Sequence, residues 1–289
     1  MTPPTTAPPA PPPSAPPTAP PPRSGGRTST PIQFGQLAPL TNPRVVLNCV
    51  EGWGKTSCAA FAPEPAILCA RGENGYQTLL GAGRVPNIAA VVANTWDQVL
   101  GLLDELAAGC PYKTLALDAL GGFEVMCHEV VTARDFGGDS GPKGFLNYHK
   151  GFDVAAGEWK KLLAALDAIH AQGVTIILLS HAQDKMMNNP LGKDYSTYIG
   201  RLHAKTWAAT KAWADAVLFG TFETIIDPTV SGKTKGIGGT DRVLYSEHRD
   251  AYDAKNRYGM APKLTLGTDP SQIWATIAAA MTTRKAGAK

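Results

Sequence analysis

The chain has 289 residues, 44% of them hydrophobic and 18% charged, with a formal net charge of +3. That supplies enough apolar side chain for a large core, and the charge is too small to demand a nucleic-acid partner by itself. The five cysteines (Cys49, Cys58, Cys69, Cys110 and Cys127) form no C-x-x-C pair, which argues against a disulfide framework or zinc site. With no signal pattern and no bilayer-length apolar run, a cytoplasmic protein without membrane contact is expected.

The first 22 residues hold 12 of the 24 prolines. Such a segment buries too little apolar surface to offset its ordering entropy, so residues 1–30 read as a disordered, partly polyproline tail. A single ordered domain is expected over 31–281, with a short basic tail at 282–289. Residues 44–47 read as a buried strand, followed by a glycine-bearing turn and a helix from Lys55. Further strands are predicted at 65–69, 88–92 and 114–117, with Thr95 as N-cap of an amphipathic helix that ends near Leu106. Residues 158–172 show helical spacing ahead of Gly173, and 174–179 is apolar except for Thr175, as a central parallel strand requires. Beyond Trp213 the stretches 216–222, 224–226 and 242–246 read as strands added at a sheet edge. This alternation predicts an α/β fold: a mostly parallel sheet with helices on both faces.

The stretch Cys49-Val-Glu-Gly-Trp-Gly-Lys-Thr fits the phosphate-loop pattern G-x-x-x-x-G-K-[ST] between a strand and a helix, with Cys49 in place of the first glycine. Gly52, Trp53, Gly54, Lys55, Thr56 and Ser57 are therefore expected to hold ATP. Glycines let backbone N–H groups approach phosphate oxygens, Lys55 reaches the β- and γ-phosphates, and the Thr56 hydroxyl ligates Mg²⁺. Asp118, directly after the strand at 114–117, is the second expected Mg²⁺ ligand. Ala119 follows it, where AAA+ and DEAD-box ATPases carry a catalytic glutamate, and this argues against those classes.

These motifs, joined by Ala62-Pro-Glu-Pro65, Gly72-Glu73-Asn-Gly75, Ile176-Ile-Leu-Leu-Ser-His181, Trp213-Ala-Asp215 and Ala254-Lys255-Asn-Arg257-Tyr-Gly259, resemble the phage-type RecA-like nucleotide-binding family, which includes the Sak-type single-strand annealing ATPases. The resemblance spans roughly residues 31–266. It implies that Glu73 polarises the attacking water, that His181 (or Gln183) senses the γ-phosphate, and that Lys255 and Arg257 reach the nucleotide of a neighbouring subunit. It also implies a DNA-contacting loop at 184–203, bearing Lys185, Lys193, Tyr195, Tyr198 and Arg201. Trp159, Trp207 and Trp213 fit apolar helix faces and read as core.

Three functions follow. The first is an ATPase acting on single-stranded DNA in recombination or annealing, as a homo-oligomer, with a single-strand-binding protein as a further partner. The second is a P-loop kinase, although no arginine-rich lid is found. The third is a non-catalytic nucleotide-binding loader or regulator, which the Cys49 replacement keeps open.

Overall fold

In the computed structural model, residues 42–190, 192–227 and 235–282 are described. The expected tail at 1–30, the expected domain start at Pro31 and all of the expected tail at 282–289 except Thr282, which ends the last helix, lie outside these residues.

In chain order the elements are β1 (Arg44–Cys49), α1 (Lys55–Ala60), β2 (Pro65–Ala70), α2 (Gly75–Gly81), β3 (Ala89–Ala93), α3 (Trp96–Ala108), β4 (Thr114–Asp118), α4 (Leu120–Asp135), α5 (Lys150–His170), β5 (Thr175–Met187), β6 (Tyr195–Gly200), α6 (Ala204–Trp213), β7 (Ala216–Asp227), β8 (Lys235–Tyr245), β9 (Lys255–Asn256), β10 (Lys263–Gly267) and α7 (Ile273–Thr282). Thr95 caps α3 by accepting from the Gln98 N–H, as expected. Gly173 takes the left-handed conformation (φ 91°) that ends the turn after α5.

The sheet runs β10-β8-β7-β1-β5-β4-β2-β3. From β7 to β3 every neighbour is parallel. β8 and β10 add an antiparallel edge, so the strands expected after Trp213 do extend one side of the sheet. Residues 216–222 and 224–226 form one strand, β7, with a register shift between Phe222 and Thr224.

Both faces are covered, and strand alternation assigns each side chain. Val46, Leu68, Leu117, Leu178 and Val217 face α3–α6, where Trp96, Phe123, Trp159 and Trp207 pack. Val45, Leu47, Ile67, Ala116, Ile177 and Leu218 face α1, α2 and α7, with Cys58, Tyr76, Trp274 and Ile277. Among the described residues no helix is long and apolar enough to cross a membrane.

The expected loop at 184–203 is instead a hairpin. β5 continues past the sheet and pairs antiparallel with β6 from Ala182–Gly200 to Met187–Tyr195. Paired residues share a face, so Lys185 and Tyr195 project from one side and Tyr198 from the other. Tyr198 stacks on Phe219 at 5.1 Å.

At the N-terminal ends of β1 and β7, Asp215 is 8% exposed. It accepts from the Arg44 N–H (3.2 Å), Arg44 Nε (3.1 Å), Arg44 Nη2 (2.9 Å) and Arg257 Nη1 (3.0 Å). Burial pushes its pKa up, but the hydrogen bonds and charge of Arg44, with the bond from Arg257, outweigh that and hold it below the ordinary carboxylate value. A group with a depressed folded-state pKa stabilises fully above its unfolded pKa and loses that contribution as pH falls through the folded value. We predict that Asp215→Ala lowers unfolding free energy by about 2 kcal/mol at neutral pH, since it removes the carboxylate that Arg44 and Arg257 share and leaves Arg44 only its bond to the half-exposed Asp167. In urea titrations the gap to the wild type should narrow below pH 4. A constant gap down to pH 2 would contradict the assignment.

Candidate nucleotide site

The loop between β1 and α1 bends through two left-handed residues, Gly52 (φ 74°) and Gly54 (φ 102°). Both are positions where a side chain is strained, which is why this part of the pattern is intact. Cys49 has no such backbone. It is the last residue of β1, fully buried, in register with His181 of β5 and Gly220 of β7. A Cβ added at Gly220 would lie 2.5 Å from Cys49 Sγ and 2.7 Å from Trp53 Cε2. The space that Cys49 needs beyond a glycine is supplied by a glycine on the adjacent strand. Burial pushes the Cys49 thiol up to about 12 despite the nearby Lys55, so it packs as an apolar group.

Trp53 departs from expectation. Its side chain does not line the nucleotide cavity. It is fully buried, and Nε1 donates to the carbonyls of Thr221 (3.1 Å) and Val243 (3.3 Å). The indole is the anchor of the loop, and only the backbone of Trp53 is available to a ligand.

A cavity of about 520 Å³ opens over the loop, lined by Gly52, Gly54, Lys55, Thr56, Ser57, Glu73, Asp118 and His181 among others. It therefore joins residues from α1, the β2–α2 turn, β4 and β5. Strand parity accounts for this. Asp118 follows Ala116, and His181 follows Ile177 and Leu179, on the face that carries α1.

Lys55 opens α1 and is 6% exposed. Its ammonium donates to the carbonyls of Cys49 (3.1 Å) and Val50 (3.2 Å). Burial lowers its pKa, opposed by Cys49, Asp118, Glu51 and Glu73. The Thr56 hydroxyl donates to Asp118 Oδ2 at 2.6 Å. Burial raises the Asp118 pKa, opposed by the Thr56 bond and by Lys55. Glu73 is raised by burial and by Asp118, against Lys55. His181 is lowered by burial, then by Lys55 and Arg201, so the neutral imidazole is favoured, and its Nδ1 is buried with no hydrogen-bond partner.

The donor set fits Mg²⁺. A hydroxyl and a carboxylate oxygen meet at the cavity floor, and no group of three or more His, Cys, Asp or Glu side chains among the described residues competes for an ion. That is the arrangement in which Mg²⁺ keeps waters and is completed by substrate phosphates.

Lys255 and Arg257 are not brought to this cavity. β9 pairs with Ala216–Val217 at the start of β7, the opposite end of that strand from Gly220. Lys255 Nζ donates to the carbonyls of Lys211 (2.8 Å), Ala212 (3.0 Å) and Ala214 (2.6 Å), capping the C-terminus of α6. Arg257 pairs with Asp215. Arg201 sits at the base of the hairpin, where its N–H donates to the His181 carbonyl (2.8 Å) and its guanidinium lies 3.3 Å from Glu51 of the loop. The cavity also takes in Arg84, Arg242, Asp269, Pro270 and Ser271, which no motif flagged. They arrive from α2 and the antiparallel edge, and only the pairing of β8 with β7 places Arg242 beside the loop.

Residues 41–258 match the model of a family described as an AAA domain. No curated protein matches the chain. The match overturns the argument from Ala119 against an AAA class. The site offers another carboxylate in place of residue 119: Glu73 lines the cavity from the turn after β2, the strand adjacent to β4.

We predict that Gly220→Ala destabilises the protein by about 1–3 kcal/mol, the usual cost of overpacking, and that Cys49→Gly in the same chain recovers part of the loss. Urea unfolding of the single and double variants measures both. A fully stable Gly220→Ala protein would show that the two strands do not share this space.

Proposed function

The chain belongs to the AAA-domain family of P-loop ATPases, and from that premise we propose that it hydrolyses ATP and couples the hydrolysis to its hold on single-stranded DNA in recombination or annealing. The observation that carries this reading is the continuity of β5. One strand takes His181 past the phosphate cavity and runs on, from Ala182 to Met187, as the first strand of the projecting hairpin.

Bound Mg²⁺ would supply charge neutralisation of the phosphates and of the developing leaving group. The chain's own residues do the rest. Thr56 and Asp118 hold the ion. Lys55 exchanges its two loop carbonyls for phosphate oxygens. Glu73, its pKa raised by burial and by Asp118, accepts a proton from the attacking water. His181, neutral and lining the cavity, hydrogen-bonds the terminal phosphate, and its backbone carbonyl is held by the Arg201 N–H, where the hairpin returns. Loss of that phosphate is then transmitted to the hairpin through two bonded neighbours.

The resemblance to phage-type RecA-like proteins supports single-stranded DNA as the polymer. On the hairpin, Lys185 and Tyr195 offer one face and Tyr198 the other, while Lys193 lies in the connecting turn. Cations track phosphates, and tyrosines stack on bases. Assembly into a homo-oligomer belongs to the same reading. Lys255 is committed to α6, but the Arg257 side chain is 54% exposed with one amino group tied to Asp215, which leaves part of its fork for a neighbouring copy. A single-strand-binding protein is the further partner this role implies.

ATPase assays with and without single-stranded DNA test the proposal. Lys55→Ala should abolish turnover. Glu73→Gln should bind ATP normally and hydrolyse it about 10²-fold more slowly or worse, the scale of a lost general base. Turnover that DNA does not stimulate would remove the DNA half of the reading.

Replacing Lys185, Lys193 and Arg201 together by Ala should weaken DNA binding and flatten its dependence on salt, because fewer counterions are released. Unchanged affinity across a salt series would place the polymer elsewhere.

A further inference from the structure

Two guanidinium groups line the nucleotide cavity without a carboxylate partner among the described residues. Arg242 projects from β8. Its Nε donates to the Trp53 carbonyl and its Nη1 to the Thr268 carbonyl, so both partners are neutral. A Cβ added at Gly54 would stand 3.4 Å from Arg242 Nε. Arg84, just past the end of α2, lines the same cavity, is exposed, and makes no ion pair among the described residues. The nearest acidic lining residue on this side is Asp269, whose carboxylate already accepts from the Ser271 N–H (2.9 Å) and hydroxyl (2.8 Å). Burial lowers the Arg242 pKa and Arg84 lowers it further, with Asp269 opposing: the two cations are close enough to feel each other. Unneutralised like charges held at one wall are unfavourable in the free protein and favourable once an anion lies between them.

We propose that Arg242 and Arg84 form a second anion subsite in this cavity, which grips the α- and β-phosphates of the nucleotide. The assignment to these phosphates follows from Gly54. Backbone N–H groups of the phosphate loop cradle the α- and β-phosphates, whereas the loop lysine serves the β- and γ-phosphates, and Arg242 Nε is the side-chain atom nearest to where a Gly54 side chain would be. β8 lies two strands from β1 on one side and β4 two strands on the other. The phosphates are thus held from the β8 side by Arg242 and from the β4 side by Asp118 with its ion. The subsite rests on the nucleotide reading of the cavity. It makes ADP retention, and not only ATP capture, depend on the antiparallel edge of the sheet.

Isothermal titration of the full chain with MgATP and MgADP tests this, using wild type, Arg242→Gln, Arg242→Lys and Arg84→Ala, with thermal melting of each free protein. Arg242→Gln and Arg84→Ala should each raise Kd for both nucleotides by about 10-fold or more, the scale of one charge-assisted contact, with the ATP-to-ADP ratio unchanged. Arg242→Lys should recover part of the affinity. Among the described residues Arg84 makes no side-chain hydrogen bond or ion pair, so Arg84→Ala reads out binding even if Arg242→Gln is unstable. A drop in melting temperature at Arg242 with unchanged Kd in all variants would reduce Arg242 to a brace and overturn the subsite. Loss confined to ATP would overturn the α/β assignment. Failure of the wild type to bind either nucleotide would instead overturn the nucleotide reading itself.

Discussion

The indole of Trp53 pins the phosphate loop to the sheet. It is fully buried between β7 and β8, and its one donor is shared between the carbonyls of Thr221 and Val243. A buried indole N–H left without a partner would cost about 1–3 kcal/mol, so the loop is fixed only where those two strands have paired. Around this anchor the rest is sterically determined. Gly220 leaves room for Cys49 and for the indole edge, Gly52 and Gly54 make the turn, and Lys55 enters α1 already directed at the cavity. The antiparallel edge is therefore part of the nucleotide site. The same strand that supplies the Val243 carbonyl also supplies Arg242.

Around the phosphate loop, burial pushes four ionisable groups toward their neutral forms. It lowers Lys55 and His181 and raises Asp118 and Glu73. Partial compensation comes from proximity: Lys55 faces Asp118 and Glu73, and Thr56 donates to Asp118. Such a site is electrostatically incomplete without a ligand that brings both negative phosphates and a divalent cation. Asp118 and His181 are held in place by the hydrogen-bonded neighbours β4 and β5, so these two groups are pre-organised for a ligand.

The hairpin and the lower end of the sheet show how the same sheet carries two different tasks. β5 passes from the parallel core into the antiparallel pair with β6, and it does so directly after His181. At the other end, Asp215, Arg44, Arg257 and Lys255 tie β1, β7, β9 and α6 together. That network holds the base of the nucleotide-bearing strand rigid while leaving Arg257 half exposed.

The sequence by itself determined the parallel core and most of the nucleotide site. Apolar runs such as 44–47 and 174–179 can only be strands covered on both faces, Gly52 and Gly54 are needed for backbone reasons local to the turn, and Asp118 and His181 sit at strand ends, where a period of two fixes which face they take. These signals are local, so they are legible in one dimension. Tertiary structure decided what depends on contacts between distant segments. Trp53 became an anchor because β7 and β8 offer it two carbonyls. Cys49 was admitted because Gly220 lies beside it. Residues 184–203 became a hairpin because β5 and β6 pair, and Lys255 was drawn to the end of α6. Arg242 entered the site from a strand 187 positions after Lys55 (242 − 55), and no spacing rule links two residues whose proximity is set by the register of an antiparallel edge.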